Sequence, residues 1–177
     1  MLDAEPGTNL NAREQILEGW VRDYGTSILR MCFVTLCDVR EAEDAMQETF
    51  LKAWRAMEHH AGFQGRNGAS EKTWLAHIAL NVCRDVQRSK WFRHVDMGKA
   101  LDELPIAAQA QDRTLLLDVM SLPDKYKQPI LLYYYHDMTI EETAQVLGVG
   151  KSTVHNRLRK AEKLLKLALT GGDCYVQ

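Results

Sequence analysis

Proline is absent from residues 13–94, although four occur in the chain, at positions 6, 105, 123 and 129. Over that stretch apolar residues return mostly every three or four positions. A backbone that keeps all its N–H donors and repeats apolar side chains near 3.6 residues folds as packed helices. No run alternates strictly with β-branched residues, so strands are not required. The expected class is all-α: two small helical domains joined by a linker, the second a helix-turn-helix.

The first helix is expected over residues 13–36. Leu17, Trp20, Val21, Tyr24, Ile28 and Met31 form one apolar stripe. A second helix begins near Val39, with Met46, Phe50, Ala53, Trp54 and Met57 on one side and Glu41, Asp44, Glu48, Lys52 and Arg55 on the other. Residues 59–70 carry three Gly and no apolar period, which reads as a loop. A third helix is expected over 73–89, with Leu75, Ile78, Ala79, Val82 and Val86 inward and Trp74, His77, Asn81, Arg84 and Arg88 on the other side.

The pattern then weakens over residues 96–112, an acidic stretch holding Pro105. The expected division is an extension at 1–12, a first domain at 13–95, a linker at 96–114, a second domain at 115–170 and a frayed tail at 171–177. Pro129 is expected in the first turn of a helix reaching Tyr135, where a missing N–H costs little.

Thr139-Ile140-Glu141-Glu142 has the spacing of a capping box. A short apolar helix follows, and Gly148 stands where a left-handed turn favours glycine. A second helix starts near Lys151, with Val154, Leu158, Ala161, Leu165 and Ala168 inward. A short helix, a Gly turn and a second helix make a helix-turn-helix. Residues 151–166 hold six Lys or Arg against one Glu, a net +5. Ser152, His155, Asn156, Arg159 and Lys163 share the outer face. Asn and Arg can read base edges bidentately, while Ser and Lys suit phosphates. The plainer alternative is a solvated basic helix on an ordinary bundle.

The chain as a whole is near neutral, with Lys+Arg 22 and Asp+Glu 24. That excludes a uniform basic coat but not segregated charge. Residues 38–48 carry five acids against Arg40 alone, a net −4, whereas residues 66–94 carry six Lys or Arg against two acids, a net +4. Trp74, Trp91 and Phe92 lie among the latter. Cations interleaved with aromatics suit single-stranded DNA, whose backbone attracts cations and whose unstacked bases need flat partners. For Trp54 the apolar stripe favours a core role; Trp74 lies at the edge of both faces.

These residues carry a family resemblance. The run from Glu41-Ala42-Glu43-Asp44 through Gln47-Glu48-Thr49-Phe50-Leu51-Lys52-Ala53-Trp54 resembles the polymerase-binding helix of bacterial sigma factors of the extracytoplasmic-function group. Thr73-Trp74-Leu75-Ala76-His77-Ile78-Ala79-Leu80-Asn81 with Arg84-Asp85 resembles their promoter-melting helix. Leu122-Pro123-Asp124-Lys125-Tyr126, Ile130-Leu131-Leu132-Tyr133-Tyr134-Tyr135 and the helix-turn-helix resemble the domain that reads the −35 element. The three motifs stand in the family's order.

The resemblance implies an initiation factor that binds core RNA polymerase, directs it to promoters and assists melting, and that is not itself an enzyme. It implies that Asp44, Gln47 and Glu48 dock on the clamp helices of the polymerase β′ subunit, with the β flap as a further contact. The loop at 62–69, including Arg66 and Asn67, would capture a flipped −10 base. Trp74, His77, Asn81, Arg84 and Arg88 would lie along DNA near the melted region. Lys151, Ser152, Thr153, His155, Asn156, Arg159 and Lys163 would form the −35 face. The linker would thread the RNA-exit path. Partners implied are double- and single-stranded promoter DNA and an anti-sigma factor. Gly150 stands where members usually carry a Ser-type cap, and Gly is an acceptable cap.

No metal, cofactor or small-molecule substrate is expected. The histidines match no zinc spacing, and Cys32 and Cys37 lack a second pair. Gly148-Val149-Gly150-Lys151-Ser152-Thr153 resembles the end of a phosphate-binding loop, but position 145 is Gln where the full pattern needs Gly. No Ser/His/Asp set can be argued. A thiol sensor at Cys32 and Cys37 is a minor alternative without a visible thiolate-stabilising context. The N-terminus lacks the basic start of a signal peptide, and the cysteine usage suits a reducing compartment, so a cytoplasmic chain is expected, nucleoid-associated when active or held at a membrane by an anti-sigma partner. Two other functions remain open on residues alone: a self-contained helix-turn-helix regulator, which would usually dimerise on palindromes, and an adaptor bundle that binds only protein.

Overall fold

The computed structural model describes residues 6–59, 70–89 and 110–169. The helices are α1 (Pro6–Leu36), α2 (Val39–His59), α3 (Glu71–Ser89), α4 (Ala110–Ser121), α5 (Asp124–Ile130), a π-helical turn (Leu131–Tyr135), α6 (Ile140–Leu147) and α7 (Lys151–Leu169). No strand occurs among the described residues, in keeping with the all-α class.

Helices α1, α2 and α3 pack against one another. Their shared core holds Trp20, Ile28, Met31, Phe33, Phe50, Met57, Leu75 and Leu80. The expected α1 stripe is present except that Val21 is exposed; it lies at the stripe's edge. Helix α1 starts at Pro6, inside the segment read as an extension, because proline's fixed φ suits a first helical position. It ends at Cys37, whose φ of 56° is left-handed and whose N–H donates to the Phe33 carbonyl at 2.7 Å. Asp38 then accepts the Glu41 N–H at 3.0 Å and caps α2. The buried hydroxyls of Thr35 and Thr49 donate to the carbonyls of Met31 and Ala45, each at 2.7 Å, so neither is an uncompensated polar group.

Helices α4 to α7 form the second lobe, cored by Val119, Leu122, Ile130, Leu132, Met138, Val146, Val154 and Leu158. Two expectations need correction. Helix α4 begins at Ala110, within the stretch assigned to the linker; residues 110–121 hold no Gly or Pro and are rich in helix formers. Pro129 is not in a first turn but near the end of α5, which starts after Pro123. Its ring removes one helical donor and crowds the carbonyl four residues back. The backbone beyond it widens into the π-turn, where the His136 N–H reaches the Leu131 carbonyl at 3.0 Å.

The capping box of α6 is formed as expected. The Thr139 hydroxyl accepts the Glu142 N–H at 3.1 Å, and the Glu142 carboxylate accepts the Thr139 N–H at 2.8 Å. Gly148 is left-handed, with φ 65°. The lobes are also in contact: α3 packs on α6, and α1 touches α4 and α5.

Candidate polymerase-docking and nucleic-acid surfaces

On α2, Asp44 and Gln47 are exposed and Glu48 is half-buried, so the three expected docking residues stand on one outer stripe. Helical spacing continues that stripe through Leu51 and Arg55. Leu51 is 47% exposed, an apolar side chain set among carboxylates. Sequence reading passed over it; the signal was its position seven residues after Asp44, where a core leucine would not fall. Lys52 lies 3.9 Å from Glu48 and 4.0 Å from Asp85 of α3. Such partly exposed pairs are worth about 0–1 kcal/mol, so Glu48 remains available to a basic partner.

On α3, His77 and Arg88 are exposed while Trp74, Asn81 and Arg84 are half-buried. The structure brings three of these together, His77, Asn81 and Arg84. The Asn81 amide lies 3.4 Å from the His77 ring, and Arg84 Nη1 donates to Asn81 Oδ1 at 2.9 Å. Burial, and secondarily the Arg84 charge, hold the His77 pKa below its usual value, favouring a neutral ring. Arg88 sits 3.6 Å from Asp85. Trp74 packs edge-on against Trp20, ring centroids 5.5 Å apart, so its ring serves the core as well as the surface. Trp54 is likewise packed on the core, with the Arg13 guanidinium 4.8 Å from its ring centre. Arg66 and Asn67 lie outside the described residues, as do Trp91 and Phe92.

On α7, Val154, Leu158 and Ala161 are buried as expected. Lys151, Ser152, His155, Asn156, Arg159 and Lys163 are exposed and Thr153 is half-buried. The helix opens on Gly150, whose carbonyl accepts the N–H groups of Thr153 and Val154. Free N–H groups at such a start attract phosphate. Lys151 Nζ bonds Glu141 Oε1 of α6 at 2.5 Å, and this pairing holds the Glu141 pKa below the usual carboxylate value. An open groove of about 600 Å³ adjoins this end of α7, lined by Tyr133, Thr139, Ile140, Glu141, Lys151, Ser152 and His155. Sequence analysis missed Glu141 and Tyr133 here, because their nearness to α7 depends on how the helices fold back.

The thiols pair differently from the sequence-based alternative. Cys32 sits against Cys83, both fully buried. A hydrogen bond to Cys83, then burial, push the Cys32 thiol well above its ordinary pKa. Cys37 is half-buried and also raised, chiefly by burial. Neither environment favours a thiolate. No helix among the described residues is long and apolar enough to cross a membrane.

An acidic stripe on one helix, a basic polar face on another and a basic helix-turn-helix define a DNA-directed protein that also meets a protein partner. The family model for sigma-70 region 2 matches residues 20–93, and that for sigma-70 region 4 matches residues 119–165. The ECF RNA polymerase sigma factor SigL of Mycobacterium tuberculosis is 32% identical over 139 residues, covering 75% of this chain and 76% of the relative. Among solved structures, CnrH in complex with the cytosolic domain of CnrY is similar with TM-score 0.68 and 23% identity, over 97% of this chain and 100% of that one. The sigma factor RpoE in complex with the anti-sigma factor NepR from Bartonella quintana is similar with TM-score 0.63 and 20% identity, over 87% and 98%. The chain belongs to the extracytoplasmic-function family of RNA polymerase sigma factors. It is a promoter-specific transcription initiation factor that works with RNA polymerase.

Proposed function

We propose that α1–α3 are the lobe that docks on polymerase and opens the −10 region, and that α4–α7 are the lobe that reads the −35 element. Asp44, Gln47 and Glu48 meet the clamp helices of β′, with Leu51 as the apolar centre of that contact; the β flap receives the second lobe. Trp74, His77, Asn81, Arg84 and Arg88, with Arg66 and Asn67 of the preceding segment of sequence, follow the melted strand. Lys151, Ser152, Thr153, His155, Asn156, Arg159 and Lys163 face the −35 duplex. The chain acts by binding, not by catalysis, and strand opening is favoured by trapping unstacked bases. DNA affinity is largely electrostatic and falls steeply with salt. The chain works in the cytoplasm, on the nucleoid when active, and an anti-sigma protein restrains it.

The observation that carries this reading is the separation of charge by element. The exposed Asp44 and the half-buried Glu48 lie on α2, whereas the exposed cations Lys151, Arg159 and Lys163 lie on α7. A palindrome-binding regulator has no use for the acidic stripe. Asp44→Arg combined with Glu48→Arg is expected to abolish capture by purified core polymerase while the circular dichroism stays unchanged, since both side chains stand on the polar face. Undiminished capture of a folded double variant would remove α2 from the docking surface.

A further inference from the structure

Helix α7 opens on a cation, an unfavourable choice by itself. The free N–H groups of a helix start leave it positive, so a lysine there is repelled. Lys151 is the first residue of α7. Its ammonium is met by Glu141 from the first turn of α6, ten positions earlier in the chain, with Nζ 2.5 Å from Oε1. Two local devices bring them together. The capping box at Thr139 starts α6 so that Glu141 stands in its first turn. The left-handed Gly148 then turns the chain, and the Val149 N–H closes on the Ala144 carbonyl at 3.1 Å.

The pair is not what holds the two helices. Val146 and Val154 are buried in the core of this lobe, whereas the side chains of Lys151 and Glu141 are 63% and 56% exposed. An ion pair that open to water adds little to folding. It also adds no net charge to a face that attracts DNA through its cations. A carboxylate there repels phosphate and so works against affinity; what it can improve is selectivity. Lysine is a compact charge on a flexible four-carbon stem. Left free at the edge of a duplex it goes to the nearest phosphate, whatever the sequence. Held by Glu141, the ammonium spends one of its three donors on the carboxylate and keeps two. Those two stand beside Ser152 and His155 on the wall of the open groove at this end of α7. The N-terminal residues of a recognition helix are the ones that meet base edges. The base edge that accepts two donors from a lysine is the O6 and N7 side of guanine.

We propose that Glu141 is a positioning residue for −35 recognition: it holds the Lys151 ammonium off the phosphates and over one G·C pair, so that discrimination at that pair depends on a side chain that itself touches no base. The proposal deepens the reading of α7 as the −35 helix and rests on it. Holding the ammonium before DNA arrives removes part of the ordering cost of the matched contact.

The test uses holoenzyme reconstituted from the full chain and purified core polymerase, with a promoter-fragment library randomised through the −35 region. Bound fragments are sequenced for the parent, Lys151→Met, Glu141→Ala, Glu141→Gln and the Glu141→Ala/Lys151→Met double variant. The parent should favour guanine at one position about tenfold. Lys151→Met should abolish that preference. Glu141→Ala should reduce it about three- to tenfold, Glu141→Gln, which keeps a neutral acceptor, should fall between it and the parent, and the double variant should match Lys151→Met. The other positions should keep their preferences. In Glu141→Ala the released Lys151 meets phosphate, so total DNA binding should not weaken and its salt slope should steepen by about one. A purely structural role for the pair predicts otherwise: a lower urea midpoint and preferences blurred at every position together. That result would overturn the proposal, as would a guanine preference that survives Glu141→Ala or a Lys151→Met profile identical to the parent's. No preference within the −35 region for any chain, parent included, would instead overturn the assignment of α7 to that element.

Discussion

His136 shows what one side chain contributes. It is 3% exposed, packed where Lys72 of α3 and Asp137 also act on it. Burial, then the Lys72 charge, hold its pKa down to about 4. A histidine whose folded pKa is depressed is neutral in the native state while the unfolded chain takes up a proton below pH 6.5. Its stabilising contribution is therefore intact above pH 6.5 and is lost as pH falls from 6.5 towards 4. At pH 5 the loss is about 2 kcal/mol. Urea titrations at pH 7.5 and pH 5 should show that excess loss in the parent chain and not in His136→Asn. An equal drop in both would assign the acid sensitivity to carboxylates alone. The left-handed positions divide similarly by chemistry. Gly148 was readable in advance because glycine advertises such a turn, whereas Cys37 at φ 56° was not, because a cysteine carries no such signal.

At the scale of elements, periodicity located α2 and α7 closely and α3 within two residues, since each presents a strong apolar stripe to a partner. It failed where a second partner exists. Ala76 and Leu80 of α3 were not in the expected stripe, and they are fully buried on the side whose Thr73 and Arg84 hydrogen-bond to α6 and α5. It failed again around Pro129, where proline's usual place in a first turn gave way to a helix already begun after Pro123. Glu142 serves two elements at once, capping α6 and accepting the Thr73 hydroxyl of α3. Thr139→Ala should lower stability by about 1 kcal/mol, read from a shift in the urea midpoint. A change within error would mean that water replaces the cap. On α7, Arg159→Ala should weaken binding to a −35 duplex by about 1–3 kcal/mol with relaxed sequence preference if Arg159 reads a base, or reduce the salt slope by about one if it meets phosphate. Unchanged affinity and slope would take Arg159 out of the interface.

For the whole molecule, sequence order alone revealed two helical units and the three motifs that carry the family, because each motif is local in the chain. The relation between the units was not legible. It depends on Gln128, Asp124 and Glu142, ordinary polar residues whose partners lie 37 to 69 positions away. The acidic stripe of α2 was legible as charge, but Leu51 within it emerged only from its exposure. Transcription reconstituted with purified core polymerase, with start sites mapped across a genomic fragment library, tests the central claim most directly. Adding the chain should create a discrete set of new start sites that share upstream elements near −35 and −10 and vanish when Asp44 and Glu48 are both changed to Arg. No chain-dependent start sites, or the same ones with the doubly substituted chain, would contradict the account.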